Sequence, residues 1–164
     1  MQEIIPEIFH FRKATNADIR EITRLRRQMR EEVAAARGWS FVSEEMAVME
    51  EAYIPFARAH LKDGTMKAWV IEAQGQIVAC GALLILHYPP YPGEPKGRVA
   101  RLSSMYTLPE YRRKGLARRI ALKAIDYCKA QGIKRLALGA STAGKPLYES
   151  LGFRPTSEMR LELS

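Results

Sequence analysis

Five cations, Arg112, Arg113, Lys114, Arg118 and Arg119, fall within eight residues of the segment YTLPEYRRKGLARRI (106–120). Pro109 stops the apolar run before them, and Gly115 opens a stretch with helical periodicity. A helix N-terminus presents free N–H groups and the positive end of the helix dipole, which together attract anions. The same dipole disfavours an unliganded cluster of cations, so such a cluster implies a negatively charged ligand. Gly115 and the small Ala117 let the backbone come close to that ligand. The chemistry predicted here is a diphosphate cradled by main-chain N–H groups.

A second segment, GASTAGKPLYESLGF (139–153), begins like a nucleotide-binding loop but carries Pro146 where a magnesium-binding Ser or Thr is needed. Only 18 residues follow Pro146, too few for the parallel sheet that surrounds such loops. Pro146 instead suits the first turn of a helix, where its missing N–H costs little and its fixed φ helps. That helix presents Tyr148, whose phenol, with a pKa near 10, is protonated at neutral pH and can act as a general acid. The alternative role for Tyr148 is packing in the core.

The elements around these segments follow from periodicity. A short strand is expected at 10–15. A helix capped near Thr15 and Asp18 carries Ile19, Ile22, Leu25, Met29 and Val33 on one stripe and stops at Gly38. Ser43 starts a second helix with Met46, Met49 and Tyr53 on one face, its last turn disturbed by Pro55. Strands are expected at 67–73 and 76–86, a proline-rich loop at 87–97, and a strand at 98–108. A helix at 115–131, a strand at 133–140, a short helix at 145–150 and a last strand at 159–163 complete the order. The whole of 1–164 reads as one mixed α/β domain.

The net charge of +8 is unevenly spread. Residues 96–164 hold 15 Lys/Arg against 5 Asp/Glu, a net of +10. This asymmetry calls for an anionic partner, either a polyanion or a phosphorylated small molecule. A nucleic-acid-binding module would spread its cations over a face, whereas these concentrate at one helix start. No apolar run approaches the roughly 18 residues of a membrane helix. The N-terminus lacks a leader pattern, and Cys80 and Cys128 show neither metal nor redox spacing. A cytoplasmic protein with buried free thiols and no metal is expected.

The segment Arg112-Arg113-Lys114-Gly115-Leu116-Ala117 matches the [Q/R]-x-x-G-x-[G/A] signature of the GCN5-related N-acetyltransferases. LYESLGF (147–153) resembles the C-terminal signature of the same family, and the element order agrees over nearly the whole chain. The resemblance is to single-domain members of bacterial type. It implies a mostly antiparallel central sheet with a splayed central strand pair, helices on both faces, and acetyl-CoA as cosubstrate.

The resemblance also implies roles. The freed strand edge at Met105, Tyr106 and Thr107 pairs with the pantetheine arm through its backbone. Arg112, Arg113, Lys114, Gly115, Leu116, Ala117 and Arg118 hold the pyrophosphate. Ser141 stands where many relatives carry an asparagine that contacts the arm of the cofactor. Tyr148 protonates the departing thiolate. Arg101 falls where some members carry a glutamate base, and no carboxylate lies between Val99 and Leu108, so no base is assigned; Glu72, His87, Tyr88 or water remain open for that task. The acceptor, a primary amine on a small molecule or a peptide, is expected near the first two helices and the 87–97 loop. Glu31, Glu32, Glu44 and Glu45 there either attract a cationic amine or form a solvated face. A homodimer is compatible with these features, and the remaining alternatives are a basic nucleic-acid-binding module and a non-catalytic acyl-CoA binder.

Overall fold

A computed structural model describes residues 8–163. Five strands form one sheet in sequence order: β1 (His10–Lys13), β2 (Met66–Ala73), β3 (Gln76–His87), β4 (Arg98–Thr107) and β5 (Leu136–Leu138). The first four pair antiparallel, and β4 and β5 run parallel. Strands β2 and β3 read as nearly continuous apolar runs because both of their faces are covered. On one face lie α1 (Ile19–Ala36) and α2 (Ser43–Asp63). Ile19, Ile22, Leu25 and Ala57 pack there against Met66, Val70 and Cys80. On the other face α3 (Leu116–Ala130) and α4 (Lys145–Ser150) cover Trp69, Ile71, Leu83 and Leu102. The expected stripe of α3 is buried as Leu116, Ile120, Ala124 and Cys128. Both cysteines are buried and free.

Two departures from the sequence reading have physical causes. Helix α2 runs through Pro55 to Asp63 and stops at Gly64, whose φ of +82° suits a residue without a side chain. Pro55 lies on the solvent side, where the carbonyl it leaves unbonded can meet water. The strand expected at 159–163 is not formed, and Met159, Leu161 and Leu163 are exposed. Alternation alone does not make a strand, which needs a partner edge. Here β5 is three residues long and offers only a short one.

The feature that matters for function is in β4. Its ladder with β5 covers only Ala100 to Leu102. Two residues further on, Ser104 adopts a left-handed φ of +52°, and two residues of β4 stand opposite the single Gly81 of β3. This is a bulge, which bends a strand and ends pairing. Beyond it Met105 turns toward α3 and Tyr106 toward α1. The β5-facing edge of Ser103 to Thr107 therefore has no ladder partner. The sheet is splayed between β4 and β5, the last two strands in its order.

Candidate active site

The splay opens into a cleft of about 740 Å³ between α1, β4, α3 and α4. At one end Arg112 leaves a short 3-10 turn (Pro109–Tyr111), Arg113 takes a left-handed φ of +65°, and Gly115 follows at +77°. Positive φ at a residue with a side chain is strained, and such strain persists only where the surroundings impose it. A Cβ added to Gly115 would meet nothing within 4 Å, so this turn faces open space. The first intrahelical bond of α3 runs from the Arg119 amide to the Gly115 carbonyl at 3.1 Å. The amides of Leu116, Ala117 and Arg118 are thus left without acceptors inside the helix, and all three residues line the cleft.

The cation side chains divide by direction. Arg112 turns back along β4, donating from Nε to the Thr107 carbonyl (2.9 Å) and from Nη2 to Glu32 (2.7 Å). Arg118 donates to the Ser150 hydroxyl (2.9 Å), which ties α4 to α3. Lys114 packs over the rings of Phe9 and Tyr111, and Arg119 over Phe11. Arg113 lines the cleft.

Tyr148 enters from the other end. Its ring stacks edge-on against Phe153 at 5.7 Å, and Gly144 lies against its other side. A Cβ on Gly144 would come within 3.2 Å of the Tyr148 ring. Burial pushes the phenol above its ordinary pKa of 10, so it stays protonated. Ser141 starts the turn into α4: its hydroxyl accepts from the Gly144 amide (3.0 Å) and its carbonyl from the Lys145 amide (3.0 Å). The Ser141 hydroxyl therefore closes the turn that leads into the helix carrying Tyr148. Lys145 pairs with Glu149 at 3.7 Å and is absent from the cleft wall, unlike a phosphate-binding lysine.

Of the residues expected from sequence, Met105, Tyr106, Thr107, Arg112, Arg113, Gly115, Leu116, Ala117, Arg118, Ser141 and Tyr148 line this one cleft. Lys114 does not. Sequence reasoning named Glu32 only as a possible lure for the amine and missed the rest of the wall from α1, Met29, Val33 and Ala36, with Arg37 just beyond the helix. Glu32 is the cleft's lining carboxylate; it accepts from the Tyr106 hydroxyl, in a very short contact, and from Arg112. Burial, then this bond, pushes the Tyr106 phenol up to about 12. Glu31 pairs with Arg27 at 2.9 Å, so neither of these two glutamates is a free lure for a cationic amine. Glu72, considered for the base, is held by Arg12 at 2.8 Å.

The family model of the GNAT acetyltransferases matches residues 26–153, most of the chain. The chain belongs to the GNAT family. Its curated relatives include an uncharacterized N-acetyltransferase of Escherichia coli, YjgM, 30% identical over 158 residues that span 93% of this chain and 86% of the relative. Among solved structures, a GCN5-related N-acetyltransferase from Ralstonia eutropha superposes with a TM-score of 0.84 at 25% identity, covering 95% of this chain and 99% of the other. An acetyltransferase from Clostridium acetobutylicum, solved with acetyl-CoA, superposes with a TM-score of 0.83 at 25% identity and 96% coverage of both chains. This GNAT chain is accordingly an acyltransferase. Among the described residues no helix is long and apolar enough to cross a membrane.

Proposed function

We propose that the chain transfers the acetyl group of acetyl-CoA to a primary amine by direct attack in a ternary complex. The observation that carries this reading is the convergence, in one cleft, of the free amides of α3, the unpaired edge of β4 and the Tyr148 phenol. The residues fit the cosubstrate. Thr107 lines the cleft, and its Oγ1 is buried there with no hydrogen-bond partner among the described residues. Acetyl-CoA supplies the activated thioester; the protein supplies the binding and the proton.

In this reading the amides of Leu116, Ala117 and Arg118, with Arg113, hold the pyrophosphate. The edge at Met105 to Thr107 pairs with the pantetheine arm, and Ser141 acts by fixing the α4 turn. The neutral amine attacks the thioester carbonyl, a main-chain N–H near Met105 steadies the oxyanion, and the carbon–sulfur bond breaks. Tyr148 gives its proton to the departing sulfur and recovers one from solvent. The amine's proton leaves through water, since Glu32 is already engaged with Tyr106 and Arg112.

Thermal unfolding with increasing acetyl-CoA tests the reading. A ligand that binds only the folded state stabilises it by about 2.7 kcal/mol at a hundredfold excess over Kd. A rising melting temperature is expected. No rise at millimolar acetyl-CoA overturns the proposal.

A further inference from the structure

A second cavity, of about 470 Å³, lies on the opposite face of the sheet, between α1, α2 and strands β2 to β4. Its walls include Arg26, Tyr53, Phe56, Arg101 and Ser103, and no Asp or Glu is among its lining residues. Arg26 Nη1 donates to the Ser104 hydroxyl at 2.8 Å, and its guanidinium lies over the Tyr53 ring at 4.8 Å. The Tyr53 hydroxyl approaches the same Ser104 oxygen at 3.3 Å. All of these partners are neutral. Arg26 Nε is buried and has no hydrogen-bond partner. Burial lowers the pKa of this guanidinium, the mark of a cation whose lost hydration nothing negative replaces.

Other arginines of the chain are treated differently. Arg12 meets Asp18 at 2.8 Å, Arg27 meets Glu50 at 2.8 Å, and Arg98 meets Glu94 at 3.1 Å. A half-buried arginine without a carboxylate is costly, and it is retained where an anion arrives from outside. Arg101 adds a second positive charge to the same cavity.

The cavity also adjoins the proposed reaction centre. Ser103 lines it, Met105 lines the acetyl-CoA cleft, and the bulged Ser104 stands between them. Ser103 and Met105 flank the bulged Ser104, so the lining of one site is two residues from the lining of the other. We infer that the acceptor is a small amine carrying a carboxylate, an α-amino acid with an apolar side chain, whose carboxylate binds Arg26 and Arg101 in this cavity. The inference rests on the acetyltransferase reading above and names its substrate class. Met49, Phe56, Met66 and Leu84 supply the apolar wall for the side chain. A carboxylate suits the site better than a phosphate. Its donors are planar guanidiniums, which grip a carboxylate in pairs. No helix N-terminus is among its lining residues.

Initial rates of CoA release by the full chain test this with a matched set: leucine, leucinamide, isoamylamine and the phosphonate analogue of leucine. Leucine should exceed leucinamide and isoamylamine in kcat/KM by about 30-fold or more, the effect of losing one charged hydrogen-bonded pair. Arg26→Met should collapse the ratio of leucine to isoamylamine toward unity, mainly through the KM for leucine, while acetyl-CoA still raises the melting temperature. If Arg26→Met does not fold, Arg101→Met and the wild-type ratios decide. Equal use of leucine and isoamylamine overturns the inference, as does preference for the phosphonate. A thermal shift with acetyl-CoA but no turnover of any amino acid overturns it while leaving the acetyltransferase reading intact. Absence of the shift removes both.

Discussion

On one side of the β4 bulge, the larger cleft offers a ligand mainly main chain, three helix amides and a bare strand edge, with Tyr148 as the proposed acid. On the other side, the smaller cavity offers side chains drawn from α1, α2 and three strands. Both draw residues from β4, and the bulged Ser104 falls between the residues that line one and those that line the other. Main-chain donors survive most substitutions, since every residue but proline brings the same N–H. Side-chain donors vanish with one mutation. The larger cleft should therefore tolerate changes to its arginines, while the smaller cavity changes specificity with Arg26.

Tyr148 is the exception that tests the rule for the larger cleft. Replacing Tyr148 with Phe keeps the ring against Phe153 and Gly144 and removes only the hydroxyl, the proposed acid. We expect kcat to fall about 100-fold, within the usual range for a lost general acid, with the acetyl-CoA thermal shift preserved. The pH profile sharpens the point. The pKa of the folded phenol lies above the ordinary value of 10, so the proton donor persists as pH rises through 10 and is lost only above it. The wild-type kcat should hold to that pH and then decline, and the Phe variant should lack this decline. Unchanged kcat would remove Tyr148 from the mechanism.

The contrast also explains what the sequence disclosed. Arg112 to Ala117 and Leu147 to Phe153 were legible because main-chain cradles need local features: a glycine, small residues and a helix start within a few positions. The smaller cavity has no such signature. Arg26, Tyr53 and Ser104 lie 27 and 51 residues apart and meet only in the folded chain. One trace was visible: Arg26 sits four residues after Ile22 and three before Met29, on the edge of the apolar stripe of α1. The pairing of Glu32 with Arg112, 80 residues away, left none. Periodicity located every strand from β1 to β5 but not where pairing would stop, because a ladder ends where its partner bends away. That is why the strand expected at 133–140 narrows to Leu136–Leu138.

Gly81 stands opposite the bulge, and altering it should disturb both sites at once. A Cβ there would lie 2.6 Å from Cγ2 of Ile120 and closer still to Sδ of Met105. The methionine can swing away, but only into the cleft or the core. Ile120 is fully buried and branched at Cβ, so it cannot yield as easily. Gly81→Ala should destabilise the fold by about 1–3 kcal/mol in denaturant unfolding. It should also weaken acetyl-CoA binding, because Met105 lines that cleft. The double variant Gly81→Ala/Met105→Ala separates the two effects: binding should recover more than stability, since the Ile120 clash remains. Full stability in Gly81→Ala would show that the bulge is softer than its contacts imply.

The smallest expected effect concerns Glu32, and it measures how far side chains matter in a main-chain site. Both partners of the Arg112–Glu32 pair are more than 40% exposed, so the pair adds little stability. Glu32 nevertheless holds the guanidinium toward α1 and places a negative charge in the cleft proposed to take a diphosphate. Glu32→Gln keeps an acceptor for the Tyr106 hydroxyl, removes that charge and frees Arg112 to reach the ligand. Acetyl-CoA should bind about two- to fivefold more tightly by calorimetry, a change under about 1 kcal/mol. The gain should shrink as salt rises, because exposed charges are screened. Weaker binding in Glu32→Gln would mean that the carboxylate organises the turn, and that the larger cleft depends on side chains as much as the smaller one does.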